Sequence, residues 1–128
     1  MSEPIALVSS ARILPNELSA FAQEIGATLT PNDFFVARLS NQDRQVWFAI
    51  SEEPIDEENH RDYLQALDAM PATVIILEIS RTTGSMDLAA EFISKFAARW
   101  PAVVDTLDGW NSHIYAVTAF LDLYKKDK

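Results

Sequence analysis

The chain has 128 residues, the usual length of one domain, and its 48% apolar and 23% charged content is typical of a globular protein rather than a disordered one. Its 19 acidic and 10 basic side chains give a net charge of −9, which repels phosphate backbones and anionic membranes and disfavours nucleic acid as a partner. The absence of cysteine excludes disulfides, thiolate catalysis and cysteine metal sites. The same acidity is also typical of proteins whose charge serves only solubility.

The beginning of the chain shows no targeting pattern. Glu3 stands where a secretory signal would carry basic residues, and no long apolar run follows it. The longest apolar run, 74–77, is far shorter than the roughly 20 residues of a membrane helix. We therefore expect a single compact domain over 1–128 that is cytoplasmic and makes no membrane contact.

The first part of the chain predicts a strand, a helix and a hairpin. Residues 5–9 are typical of a short strand, and a helix is expected to begin at Pro15 and to end near Gly26. Its apolar face follows the i, i+3, i+4, i+7 pattern at Leu18, Phe21, Ala22 and Ile25. Two stretches rich in aromatic and β-branched residues, 34–39 and 45–50, flank a polar turn and predict a β-hairpin.

An acidic stretch precedes a second predicted helix. The acids are Glu52, Glu53, Asp56, Glu57 and Glu58. They form either a solvated helix start, where negative charge suits the helix dipole, or a surface for a basic partner. The helix is expected to run to about Met70 before Pro71, with Tyr63, Leu64 and Leu67 facing inward.

The second half of the chain carries the strongest core signals. The stretch 73–79 is apolar at consecutive positions, which predicts a strand covered on both faces at the centre of a sheet. The helix after it has one broad apolar stripe, formed by Leu88, Ala89, Phe92, Ile93, Phe96, Ala97 and Trp100. Strands beginning at Val103 and over 114–117 form a second hairpin around an Asp-Gly turn. The stretch 118–124 is a short helix or a strand extension, and we favour the helix.

The order β-α-β-β-α-β-α-β-β-α predicts an α+β fold. Its first six members match the ferredoxin-like βαββαβ arrangement, followed by a C-terminal αββ(α) extension. Right-handed crossovers then place the helices on one face of a single-layer, mostly antiparallel sheet.

The exit of the central strand is a weak candidate for anion binding. Thr83, Gly84 and Ser85 precede the strongest helix, whose first N–H groups could meet an anion. The loop lacks the lysine of a phosphate loop, and Asp87 would compete with the anion. The alternative is a helix capped by Thr83 or Ser85.

Two clusters could carry other chemistry. Glu58 and Asp62 are spaced i, i+4, but His60 points elsewhere, so an exposed helix face is favoured over a metal site. His113 follows Asp105 and the Asp108 turn closely, which allows an acid–base pair but supplies no nucleophile. Because neither cluster specifies a reaction, we expect no metal and no cofactor.

The three tryptophans have different contexts. Trp47 alternates with apolar neighbours and must lie on the opposite face of its strand, under a helix or exposed. Trp100 completes the helix stripe and belongs to the core. Trp110 lies in a polar turn, where it either binds a partner or packs against the edge of its own domain.

Three functions remain, and no motif links the chain to a known family. The preferred one is a protein-binding module, such as an inhibitor or immunity-type protein, in which the acidic stretch meets a basic protein and Trp47, Trp110 or His113 contributes contacts. The second is a ligand-sensing or regulatory domain that acts as a homodimer. The third is a small enzyme that uses Asp105, Asp108 and His113.

Overall fold

The computed structural model describes residues 2–29, 37–41, 44–51, 57–80, 84–106 and 114–126, which form strands β1–β7 and helices α1–α4. The strands are β1 Ser2–Ser9, β2 Thr28–Leu29, β3 Ala37–Asn41, β4 Arg44–Ile50, β5 Thr73–Ser80, β6 Ala102–Asp105 and β7 Ile114–Ala116. The helices are α1 Pro15–Glu24, α2 Glu57–Leu67, α3 Ser85–Arg99 and α4 Val117–Lys126.

The seven strands form one sheet in the order β2-β3-β4-β5-β1-β6-β7, and every neighbouring pair is antiparallel. The α+β class and the antiparallel sheet are therefore confirmed. So is the central position of β5, which pairs with β4 on one side and with the whole of β1 on the other. Both predicted hairpins are present as β3–β4 and β6–β7, and α4 is a helix as expected. The short strand β2 was not predicted.

The ferredoxin-like strand order predicted for the first six elements is not the one found. That arrangement would place β1 directly beside β4 in an antiparallel pair, whereas β5 lies between them. The cause is the match between β1 and β5, which pair in register from Ser2↔Ser80 to Ser9↔Thr73 and so satisfy the backbone groups of both eight-residue strands. A split βαβ unit does occur in β5–α3–β6, because both strands are antiparallel to the β1 strand between them.

The main core lies on one side of the sheet, here called the first face. Alternation along the strands directs buried side chains to it: Ile5, Leu7, Val46, Phe48, Ile75, Leu77, Ile79 and Val104. Helices α1, α3 and α4 cover this face with their predicted apolar stripes. The ring of Phe92 lies at its centre, 4.5 Å from the Phe48 ring and 5.6 Å from the Phe21 ring. Trp100, 8% exposed, closes the end of the core as expected.

The opposite side, the second face, carries α2, so the prediction that all helices share one face is wrong. Tyr63 of α2 is buried with Val8 and Val103, and Leu67 packs against the same cluster. The reason is that β1, β5 and β6 present β-branched apolar residues on both faces, which need a cover on each side. Leu64 was expected to face inward but is 43% exposed, because α2 touches the sheet along a narrow strip only.

Two buried hydroxyl groups fasten the chain that follows β1. The Ser9 hydroxyl donates to the Pro101 carbonyl at 2.6 Å and accepts the Ala11 N–H at 3.1 Å. The Thr73 hydroxyl donates to the Ala11 carbonyl at 2.9 Å and accepts the Ile13 N–H at 3.0 Å. These bonds satisfy backbone groups of Ala11, Ile13 and Pro101, which have no partner within the sheet ladder. They also fix the position of the segment between β1 and α1.

Candidate functional site

Half of the second face forms a mixed apolar and acidic surface, here called the β4–β5 patch. It comprises Trp47 and Ala49 of β4, Ile76 and Glu78 of β5, and Ala6 of β1. The register places Trp47 opposite Glu78, and it places Ile76 between Ala49 and Ala6. These cross-strand pairs hold the side chains within about 5.5 Å of one another at Cβ.

The patch is only partly accessible. Trp47, Ile76 and Glu78 are half-buried, whereas the two small residues, Ala6 and Ala49, are 1% and 3% exposed. Among the described residues, none of its apolar members belongs to either packed core cluster. Of the described helices, α2 is the one on this face, and it lies over β6 and β7 at the other end of the sheet.

The position of Trp47 follows from the sequence of β4. Val46 and Phe48 are 0% exposed and point into the first face, so the residue between them must point to the second. This confirms the prediction that Trp47 lies on the opposite side of its strand. A partly accessible indole beside an aliphatic side chain and a carboxylate is typical of a protein-binding surface. A partner protein can bury the ring and pair its own polar groups with the carboxylate at the edge.

Only the last two acids of the acidic stretch lie within the described residues. Glu57 and Glu58 are the first two residues of α2. Glu52, Glu53 and Asp56 lie outside the described residues. The role of this stretch in binding stays a prediction.

Of the candidate acid–base cluster, only Asp105 lies within the described residues, so the pair stays a prediction. Asp105 of β6 accepts a hydrogen bond from the hydroxyl of the buried Tyr63, so its carboxylate helps to hold α2 on the sheet. Asp108, His113 and Trp110 lie outside the described residues. The sequence did not indicate the Tyr63–Asp105 contact, because the two residues are 42 positions apart and no local spacing connects them.

The beginning of α3 is not capped by Ser85. Gly84 is the N-cap, with a left-handed φ of 92°, and no described side chain caps the helix, so the prediction of a Ser85 cap is wrong. Ser85 is the first helical residue, is 0% exposed, and its hydroxyl accepts the Gln45 N–H at 3.1 Å. This bond ties α3 to β4 and gives the hydroxyl a structural role. Thr83 lies outside the described residues, and anion binding at this helix start stays a prediction.

Gly84 offers a direct test of this geometry. A Cβ at this position would lie 2.9 Å from Cζ of Arg44, and the positive φ is unfavourable for any other residue. Gly84→Ala is expected to lower the free energy of unfolding by about 1–2 kcal/mol in urea denaturation. The matched control is Gly26→Ala, which has a φ of 82° and no atom within 4 Å of the new Cβ, and we expect it to lose about 1 kcal/mol. A smaller loss at Gly84 than at Gly26 would contradict the close approach of Arg44.

A groove of about 410 Å³ separates the ends of α1 and α3. It is lined by Phe21, Glu24, Ile25, Lys95, Ala98 and Arg99. Arg99 donates to the Glu24 carboxylate at 2.6 Å, and its guanidinium carbon lies 5.0 Å from the centre of the Trp100 ring. Both contacts are local to the rim, and they hold the Arg99 side chain along the groove. Sequence reasoning missed this groove because its walls come from two separate helices.

Searches for a metal site, for a membrane helix and for related proteins gave the following results. The described residues include no group of three or more His, Asp or Glu side chains that could hold a metal ion. No helix in the same part of the chain is both long enough and apolar enough to cross a membrane. Comparison with protein-family models, with curated proteins and with solved structures finds no match to this chain.

Proposed function

We propose that this chain is a cytoplasmic protein-binding module, such as an inhibitor or immunity-type protein, that engages a basic protein. The observation that supports the proposal is the β4–β5 patch, where a half-buried tryptophan lies on a sheet surface outside both core clusters. Aromatic residues at such positions supply a large share of the binding energy of protein interfaces.

Charge supports a basic partner rather than a neutral one. The net charge of −9 attracts a positively charged protein over about one Debye length and raises its association rate. The patch itself contributes the carboxylate of Glu78, which lies opposite Trp47. A partner surface with an excess of lysine or arginine around an apolar centre would match this arrangement.

The proposal is tested by affinity capture from the native cell followed by binding measurements with the purified partner. We expect a basic protein in stoichiometric amount. We expect Trp47→Ala to weaken its binding at least about 30-fold, because a central aromatic residue contributes about 2 kcal/mol or more. Leu14→Ala is the matched control, since Leu14 is 44% exposed outside the patch and its loss should leave binding unchanged.

The acidic stretch is tested separately. Reversal of Glu52, Glu53, Asp56, Glu57 and Glu58 to lysine is expected to slow association and to remove most of its salt dependence. Equal binding by the reversed variant and by the natural chain would show that the acidic stretch is not part of the interface. Equal binding by Trp47→Ala would instead exclude the patch.

A ligand-sensing or regulatory role as a homodimer is the second candidate. It is favoured by the groove between α1 and α3, whose volume of about 410 Å³ falls in the range of small-molecule sites. Native mass spectrometry should then detect a dimer and a co-purified metabolite. A monomer without a bound molecule would remove this candidate.

An enzyme that uses Asp105, Asp108 and His113 is the third candidate. The observation in its favour is that Asp105 lies on the second face and is held by Tyr63. In such an enzyme, His113→Ala should abolish activity, and the histidine should titrate away from its ordinary pKa.

A further inference from the structure

The part of α2 whose side chains are described, 61–67, packs on the fold through fewer residues than α3 does. In the segment 61–67, Tyr63 is the buried residue and Leu67 is half-buried, whereas the other side chains are exposed. In contrast, α3 buries six residues, five of which belong to the main core. Since tertiary packing supplies most of the stability of a helix in a protein, α2 should open at a lower free energy than α3.

The C-terminal end of α2 adds to this difference. Asp68 follows the last helical residue and has a φ of 56°, a left-handed conformation that favours glycine. Its carboxylate also lies at the negative end of the helix dipole, where a cation would be stabilising and an anion is not. The C-terminal end of α2 is therefore less favourable than one that ends in glycine.

Within 61–67, the main contact of α2 with the sheet is made by one aromatic residue. The ring of Tyr63 packs on Val8 and Val103, and its hydroxyl donates to the Asp105 carboxylate. Leu67, Val74 and Ile114 are partly buried around the same small cluster. Among the residues whose side chains are described, this cluster contains three buried residues and the main core nineteen, so loss of the α2 contact leaves most of that buried apolar surface intact.

We propose that α2 is a detachable cover of the second face, which undocks as a unit while the first-face core stays folded. Undocking would expose Val8 and Val103 beside the β4–β5 patch, because Val8 pairs with Val74 on β5 and with Val103 on β6. The result would be one apolar surface across β4, β5, β1 and β6. The undocking does not depend on the proposed function, but its use in enlarging a protein-binding surface does.

Native-state hydrogen exchange on the free protein tests this cover. We expect the amides of α2 to exchange at least about 100-fold faster than those of α3, with little dependence on low urea concentration, because undocking exposes a small area compared with global unfolding. Equal protection of α2 and α3 with the same urea dependence would overturn the proposal. The measurement needs no partner, so it can fail while the proposed function holds, and the reverse is also true.

Two variants should move the exchange of α2 in opposite directions. Tyr63→Phe keeps the ring but removes the donor to Asp105, and we expect about tenfold faster exchange in α2 with no change in α3. Asp68→Gly relieves the left-handed conformation and should slow exchange in α2 about threefold to tenfold. An equal effect of Tyr63→Phe on both helices would show that α2 opens only with the whole fold, and would overturn the proposal.

Discussion

Replacement of Phe92 by alanine is expected to lower the free energy of unfolding by about 3–5 kcal/mol. Phe92 is 0% exposed and lies at the centre of the first-face core, with its ring 4.5 Å from that of Phe48, 5.6 Å from that of Phe21 and 6.1 Å from that of Phe96. Truncation removes the buried ring and leaves a cavity that the sheet on one side and α1 on the other fill only in part. Urea denaturation followed by circular dichroism measures the loss.

The control for this change is Met70→Ala. Met70 is 57% exposed, so its truncation should alter the free energy of unfolding by less than about 0.5 kcal/mol. Because a loss of 3–5 kcal/mol is a large part of the usual stability of a small protein, Phe92→Leu provides a second variant, with an expected loss of about 1–2 kcal/mol. A loss below about 1.5 kcal/mol for Phe92→Ala would show that the α3 stripe is not the centre of the core.

Replacement of Thr73 by valine is expected to destabilise the protein by about 2–3 kcal/mol. The two side chains have nearly the same shape, so the change removes the hydroxyl without opening a cavity. That hydroxyl bonds the Ile13 N–H and the Ala11 carbonyl in a site that is 6% exposed, and valine would leave both backbone groups without this partner. Chemical denaturation at neutral pH gives the magnitude.

The matched control is Thr28→Val in β2. Thr28 is an exposed strand residue, so the same change there should alter stability by less than about 0.5 kcal/mol, in either direction. If Thr73→Val were as mild as Thr28→Val, the hydrogen bonds at the end of β5 would contribute nothing net to stability. Retained stability would then have to come from the apolar packing alone.

Prediction from sequence was reliable where the signal is local. The stripes of α1 and α3 follow from residues three and four positions apart, and the core contains both stripes except Ala97. The central place of β5 follows from its continuous apolar run, and the side on which Trp47 lies follows from the alternation of β4. In each case neighbouring residues along the chain carry the necessary information.

Prediction failed where distant segments compete for the same position. The order of the strands depends on which partner matches the length and pattern of β1, and the match with β5 joins residues more than 60 positions apart. The side of the sheet that α2 covers depends on Val8 and Val103, which belong to other elements. The candidate site shows the same limit, because the Tyr63–Asp105 bond and the groove between α1 and α3 join separate elements.

The sequence by itself determined all the described elements of this protein except β2, its acidic charge, the apolar strand at its centre and the helix stripe that packs on it. Only the tertiary structure decided that β1 lies beside β5, that α2 lies alone among the described helices on the second face, and that Trp47 lies on a surface outside both core clusters. The physical reason is the range of the interactions. The periodicity of a segment shows which of its sides is apolar. Which other element packs against that side is decided by strand pairing and burial between distant segments.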